Sequence, residues 1–403
     1  MHLGCSSCAR NGARQRPCGR GARALERRRV LCCRSIPRRP GKRERSRRNL
    51  NGNTTLLGAP LVPCRRNRPR WPLACDAPRA DIAVKALPRY EIVANASEGR
   101  DASVLEALAR AITETENVLL LDLHADVDHD RSVLTYASDD TGALIRATIR
   151  LSATATARID LSATGKTGSN EGVHPRIGAL DVVPVVPIGL GANSAEASAI
   201  AIEIARMIGA TGVPVHRYGL IARDPSRAAL TPLRRGGFRG LRALHEREDG
   251  APDDGPALPH ATAGATAVGV RAVMAAWNIE LAEGSEDRQR TAAQKIASAI
   301  RGSASGGVTG LQALGFFLRS RGRAQVSMNL HDAAAAAARG DTLAAIRMRI
   351  AALAVQHGTS IGATEIVGLL PEAVLCAGGN PEELEISGGW ERASLERRVA
   401  AAR

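Results

Sequence analysis

Aromatic residues are nearly missing from this chain, which has three each of Phe, Trp and Tyr in 403 residues. A core built without them must be filled by Ala, Val, Leu and Ile, and a hydrophobic content of 44% is enough for two or three domain-sized cores. No apolar run approaches the roughly 18 residues that span a bilayer, which leaves no candidate for a membrane-spanning helix. Nor does the N-terminus offer the short apolar stretch of a secretory signal. Cysteine is scarce where it would matter. Cys5, Cys8, Cys18, Cys32, Cys33, Cys64 and Cys75 all precede residue 80 and only Cys376 follows, so no disulfide framework staples the rest. Cys5 and Cys8 have zinc-like spacing, yet the adjacent Cys32 and Cys33 do not form the second half of a zinc ribbon.

Acidic residues are missing from the same N-terminal stretch. Residues 1–80 hold 21 of the 55 Lys and Arg against Glu26, Glu44 and Asp76 alone. The other 323 residues, with 34 basic and 37 acidic side chains, are nearly neutral. The formal charge of +15 is therefore a property of the leader, and it argues for no nucleic-acid or membrane partner of the remainder. Residues 1–83 show neither helical nor strand periodicity, and their charge density resists collapse, so they read as a disordered Arg/Cys-rich leader. An Arg-rich transit peptide, a basic nucleic-acid arm and a gene start placed too far upstream are the three explanations. The Arg, Gly, Ala, Pro and Cys bias favours the third, with Val84 as the candidate start.

From Tyr90 the pattern becomes regular. Strands are expected at 90–93, 118–123, 132–137, 180–188 and 213–218, with helices from Asp101, over 141–159 and from Asn193 to Ile208. Ser103 and Glu106 have capping-box spacing at the first helix, as Asn193 and Glu196 do at the third. The order then repeats, with strands at 273–281, 311–318, 323–330 and 360–367 and helices at 286–301 and 341–357. Two successive strand-helix-strand-strand-helix-strand units predict an α+β fold of two ferredoxin-like subdomains packed face to face, over 84–269 and 270–390, with 391–403 as a C-terminal tail. The Gly-, Pro- and Arg-rich stretch 223–267 between them is too long for a plain connection.

Several motifs dissolve on inspection. Asp126-x-Asp128-x-Asp130 begins like a calcium loop, but Arg131 stands at its sixth position and Ala137 at its twelfth. Gly165-Lys166-Thr167 lacks the first glycine of a phosphate loop, where Asp160 stands. Gly189-Leu190-Gly191 lacks the third glycine and the ribose-binding acid of a dinucleotide site. No metal or nucleotide is expected. What remains is "GVHPRIGALDVV" at 172–183. Pro175 biases His174 toward extended geometry, and Gly172 and Gly178 permit close approach of a ligand or a neighbouring segment. A stiff corner holds a ring as general acid and base chemistry needs.

With this corner, "VANASEGRD" at 93–101, "DHDRSVLTY" at 128–136, "VPVHRYG" at 213–219, "TAGATAVGVR" at 262–271, "AQVSMNL" at 324–330 and "EIVGLLP" at 365–371 make the chain resemble the formiminotransferase family. The resemblance runs from Tyr90 to about Pro371. It implies transfer of the formimino group from N-formimino-L-glutamate to N5 of tetrahydrofolate in histidine catabolism, by a cytoplasmic homodimer without a cyclodeaminase domain. It makes His174 the catalytic acid and base, and it names Arg176, Asn95, His124 and Asn329 as substrate-binding, Arg176 as a carboxylate clamp. The folate-lining stretch would be Gly255, Pro256, Ala257, Leu258, Pro259, His260, Ala261, Thr262, Ala263 and Gly264, the last leaving room for the ligand. Val173, His124, Ala96, Asp254, Leu220 and Gly237 depart from the family pattern. These departures keep formyl transfer from N-formylglutamate, or folate binding without turnover, as alternatives.

Overall fold

Alternation of small apolar and polar residues from Tyr90 onward makes strands, and the 3.6-residue spacing between them makes helices that pack on the sheets. The computed structural model describes residues 87–163, 175–282 and 284–403, all within one compact unit. The leader, its cysteines, Gly165-Lys166-Thr167, Gly172, Val173 and His174 lie outside the described residues.

The first half runs β1 (Tyr90–Ala96), α1 (Ala102–Thr113), β2 (Leu119–Asp126), β3 (Arg131–Ser138), α2 (Thr141–Arg158), β4 (Leu180–Pro187), α3 (Ser194–Ala210), β5 (Val215–Gly219), α4 (Leu230–Arg234), α5 (Gly237–His245) and β6 (Thr266–Val270). The sheet order is β2-β3-β1-β4-β6-β5. Its first four strands are antiparallel neighbours in the ferredoxin-like arrangement, and β6 and β5 extend it in parallel. Tyr90, Ile92, Ala94 and Ala96 of β1 join Leu108, Leu151 and Ile204 of the helices in the main core. On the opposite face Val182, Tyr218 and Ala267 cluster with Leu241 of α5, and Leu230 and Leu233 of α4 pack against them.

The second half runs β7 (Ala275–Leu281), α6 (Glu286–Ile300), β8 (Leu311–Leu318), β9 (Arg323–Leu330), α7 (Ala333–Ala338), α8 (Leu343–Gln356), β10 (Ile361–Val367), α9 (Glu372–Leu375), α10 (Trp390–Ala393) and α11 (Leu395–Ala402). Its sheet, β10-β7-β9-β8, has the same ferredoxin-like order and its own core around Trp277, Ile296 and Ile350. The two halves meet where the β8–β9 turn reaches the end of β2 and the loop after it, as Ser320 donates to Asp128 and Arg321 reaches Asp126 at 3.7 Å. The C-terminal residues are no loose tail. Leu395 and Val399 of α11 pack with Leu121 and Ala137, and Arg398 Nε donates to Leu121 O at 2.7 Å.

One local expectation needs correction and two gain detail. The stretch 223–267 contains α4, α5 and the start of β6, whose five residues are too few to stand out. Asp101, rather than a Ser103–Glu106 box, caps α1, its carboxylate accepting from Ser103 N at 2.8 Å. At α3 Asn193 is the cap, as expected. Asn193 Oδ1 accepts from Glu196 N at 2.8 Å, while the Glu196 carboxylate accepts from Tyr90 Oη at 2.6 Å.

Candidate active site

The segment that leaves the His-Pro-Arg corner is fastened on every side. Arg176 is buried; its Nη1 donates to Asp130 O at 2.8 Å and its Nη2 to His129 O at 2.7 Å. These bonds tie the corner to the β2–β3 loop, so the guanidinium expected to clamp a substrate carboxylate already holds two backbone carbonyls. Ile177 N donates to Asp181 Oδ1 at 2.8 Å. Asp181 is fully buried between Arg131, at 2.8 Å, and Arg234. Burial pushes its carboxyl up, but the two guanidinium groups more than offset this and hold it below the usual carboxylate range.

On its other side the same segment is stitched to residues 262–265. Ala265 N donates to Ile177 O at 3.0 Å and Ala179 N to Ala263 O at 2.9 Å, while Leu161 N, just after α2, donates to Thr262 O at 2.9 Å. Gly178 and Gly264 face each other in an isolated bridge. A Cβ on Gly178 would stand 2.0 Å from Ala265 O, which is why the chain has glycine there. Gly264 has φ +70° and a Cβ there would lie 2.1 Å from Ile177 O, so its missing side chain makes room for this backbone.

The rest of the 255–264 stretch is held by histidines. His260 N and O exchange hydrogen bonds with Gly264, and the His260 ring accepts from Ala263 N at 3.1 Å. Further out, Arg227 Nη2 lies 3.2 Å from His216 Nδ1, His216 Nε2 lies 2.9 Å from His245 Nε2, and His245 Nδ1 lies 3.0 Å from Ala257 O. A carbonyl only accepts and a guanidinium only donates, so both tautomers are fixed. His245 carries its proton on Nδ1, His216 on Nε2, and protons point along one chain from Arg227 to Ala257. Burial, the facing His245 and the Arg227 charge push the His216 ring down to about 3, keeping it neutral. Asp254 pairs with Arg217 through two bonds of 2.7 and 2.8 Å.

A second group converges from the facing sheets. His124 on β2 shares a row with Val133 and Asn95. Its Nε2 stands 3.9 Å from Glu365 Oε1 of β10. Arg321, in the β8–β9 turn, reaches Glu365 at 3.2 Å, Glu280 of β7 at 3.1 Å and Asp126 at 3.7 Å. Asn278 Nδ2 donates to Glu365 Oε2 at 2.9 Å. Burial raises the Glu365 carboxyl, and Asn278, Arg321 and His124 outweigh that, leaving it below its ordinary range. Asn329 lies on the same face of β9 as Gln325, four residues on, while Asn95 bonds back to Val93 O at 3.2 Å. The donor atoms of His124, Asp126 and Glu365 lie within 4.8 Å of one another, a spacing a divalent cation could use, although Arg321 already supplies positive charge there. Spacing along the chain hides this set because its members come from two subdomains. The alternation of Asn278 with Glu280 on β7, and of Gln325, Ser327 and Asn329 on β9, was the available signal.

Residues 89–271 match the N-terminal subdomain of the formiminotransferase domain, and residues 276–380 match the formiminotransferase domain. The chain belongs to the formiminotransferase family. The break between the two matches falls between β6 and β7, where one sheet ends and the other begins. Among its curated relatives, the glutamate formimidoyltransferase of Streptococcus pyogenes serotype M1 is 35% identical over 71% of this chain and 90% of its own length. That of Thermoplasma acidophilum is 32% identical over 77% of this chain and 97% of its own length. The formimidoyltransferase-cyclodeaminase of Mus musculus is 32% identical over 60% of this chain and 43% of its own length. Membership makes this chain a folate-dependent transferase.

Proposed function

We propose that the chain moves the formimino group from N-formimino-L-glutamate to N5 of tetrahydrofolate, yielding 5-formiminotetrahydrofolate and L-glutamate in histidine catabolism. The observation that supports this reading is the stitching of Ile177–Ala179 to Ala263–Ala265, which brings the residues after the His-Pro-Arg motif beside the stretch we assign to folate. The folate ring system would lie along Gly255–Gly264, where Leu258 offers an apolar side chain that is 58% exposed. Arg176 would act through the backbone, fixing the corner against the β2–β3 loop, and Asn95, His124 and Asn329 would line the donor side.

In the proposed reaction N5 attacks the amidine carbon and a C–N bond forms. His174 takes the N5 proton and returns one to the glutamate nitrogen, whose bond to the same carbon then breaks. One imidazole titrating near neutrality can serve both transfers. No metal or nucleotide takes part in this scheme. The enzyme would work as a cytoplasmic homodimer, with subdomains over 84–269 and 270–390. Purified protein given tetrahydrofolate and formiminoglutamate, followed by product absorbance, tests the reading. Turnover is expected, and folate binding without product would replace it with a binding role.

A further inference from the structure

Three carboxylates, from Asp126, Glu280 and Glu365, converge on the single guanidinium of Arg321 between the sheets. Their side chains are only 9–18% exposed, so little water screens them. Counting these four groups alone, the cluster is two positive charges short, and even a protonated His124 would leave it one short. Buried carboxylates in deficit favour a cationic ligand.

Hydrogen bonding shows the same deficit. Gln325 is fully buried on β9, and its Nε2 faces Glu365 Oε2 at 3.4 Å. Its Oε1, beside the same carboxylate, has no donor among the described residues. The cluster thus offers more acceptors than donors and more negative charge than positive. A ligand that completes it must be a cation bearing several N–H groups in one plane.

We infer that this cluster recognises the formamidinium end of the donor and makes the transferase selective for formimino over formyl groups. The inference rests on the proposed function and names the side chains that read its substrate. An N-alkylformamidine is protonated at neutral pH, and its two nitrogens present parallel N–H donors to a carboxylate, as an arginine does. Glu365 is the bidentate partner, held in place by Asn278, and Gln325 Oε1 accepts a further N–H. Arg321, whose guanidinium resembles an amidinium, stands in until the donor arrives. It sits in a turn with its side chain 36% exposed, free to swing toward solvent. A formyl group is a neutral amide and leaves the charge deficit unmet. A bare divalent cation on His124, Asp126 and Glu365 is the competing occupant.

The test compares kcat/KM for N-formiminoglutamate and N-formylglutamate in wild type, Glu365→Gln and Gln325→Met. Glu365→Gln keeps the shape and removes the charge. The preference for the formimino donor should fall about 10- to 100-fold in it, the usual worth of a charge-assisted hydrogen bond, and less in Gln325→Met. An unchanged preference in both variants would overturn the inference. Calorimetric titration with formamidinium chloride separates this inference from the reading beneath it. Binding that wild type shows and Glu365→Gln loses would stand even if no transfer to folate occurred. No binding to wild type, or tight binding of zinc or manganese chloride lost in the same variant, would refute it.

Discussion

Two buried groups with opposite demands should set how stability depends on pH. His216 is 1% exposed and its ring titrates at about 3 in the folded chain instead of its ordinary 6.5, through burial, His245 and Arg227. Glu91 on β1 is 3% exposed with Oε2 unpartnered, and burial, only partly countered by Arg271, raises its carboxyl from 4.5 to about 7. Between pH 3 and 6.5 the unfolded chain takes a proton that folded His216 refuses, so stability rises with pH. Between pH 4.5 and 7 folded Glu91 takes a proton that the unfolded chain refuses, so stability falls with pH. Each slope is about 1.4 kcal/mol per pH unit, and between 4.5 and 6.5 the two cancel. Replacing Glu91 by Gln removes one of them. Over those two pH units the variant should gain about 3 kcal/mol relative to wild type as pH rises. Urea unfolding followed by circular dichroism at half-unit intervals measures the difference. A difference that stays constant from pH 4.5 to 6.5, or that runs the other way, would refute the reasoning about Glu91.

Gly264→Ala places a Cβ against Ile177 O and strains a backbone at φ +70°, so it should cost at least 1–2 kcal/mol and weaken folate binding together with stability; a stable variant with normal affinity would show that the two segments are not tightly joined. Leu151→Ala, in the fully buried core beneath the first sheet, should lower unfolding free energy by about 2–5 kcal/mol without altering KM for either substrate; a shifted KM would mean the core is coupled to the groove. Activity should survive dialysis against chelator, and restoration of lost activity by a divalent ion would assign His124, Asp126 and Glu365 to a metal instead.

Much of the architecture is legible in the sequence because the strands are apolar and flanked by amphipathic helices. Tyr90, Ile92, Ala94 and Ala96 alternate as a half-buried strand should, and the strand-helix order repeats twice. What the sequence hides is short or assembled from distant parts. β6 has five residues, Thr266–Val270, and it pairs in parallel with β4 and β5 through contacts that no local pattern announces. The importance of Gly178 and Gly264 can be read as a need for close approach, but which segment approaches is a tertiary fact. The same holds for Arg176, whose charge suggests an anionic ligand until the carbonyls of His129 and Asp130 are seen to fill its fork. The cluster of Asp126, Glu280, Arg321 and Glu365 joins residues up to 239 apart in sequence, so only the alternation of polar residues along β7 and β9 hinted at it.

The most direct test of the account is the turnover of His174→Ala with formiminoglutamate and tetrahydrofolate, measured beside its folate affinity. If the ring moves protons while the stitched corner only positions it, affinity should persist and turnover should fall roughly 100- to 10,000-fold, the usual worth of a placed acid or base. His174→Gln, which can hydrogen-bond but not titrate near neutrality, should fall with it. Near-normal turnover in His174→Ala would contradict the account and leave the corner a structural turn.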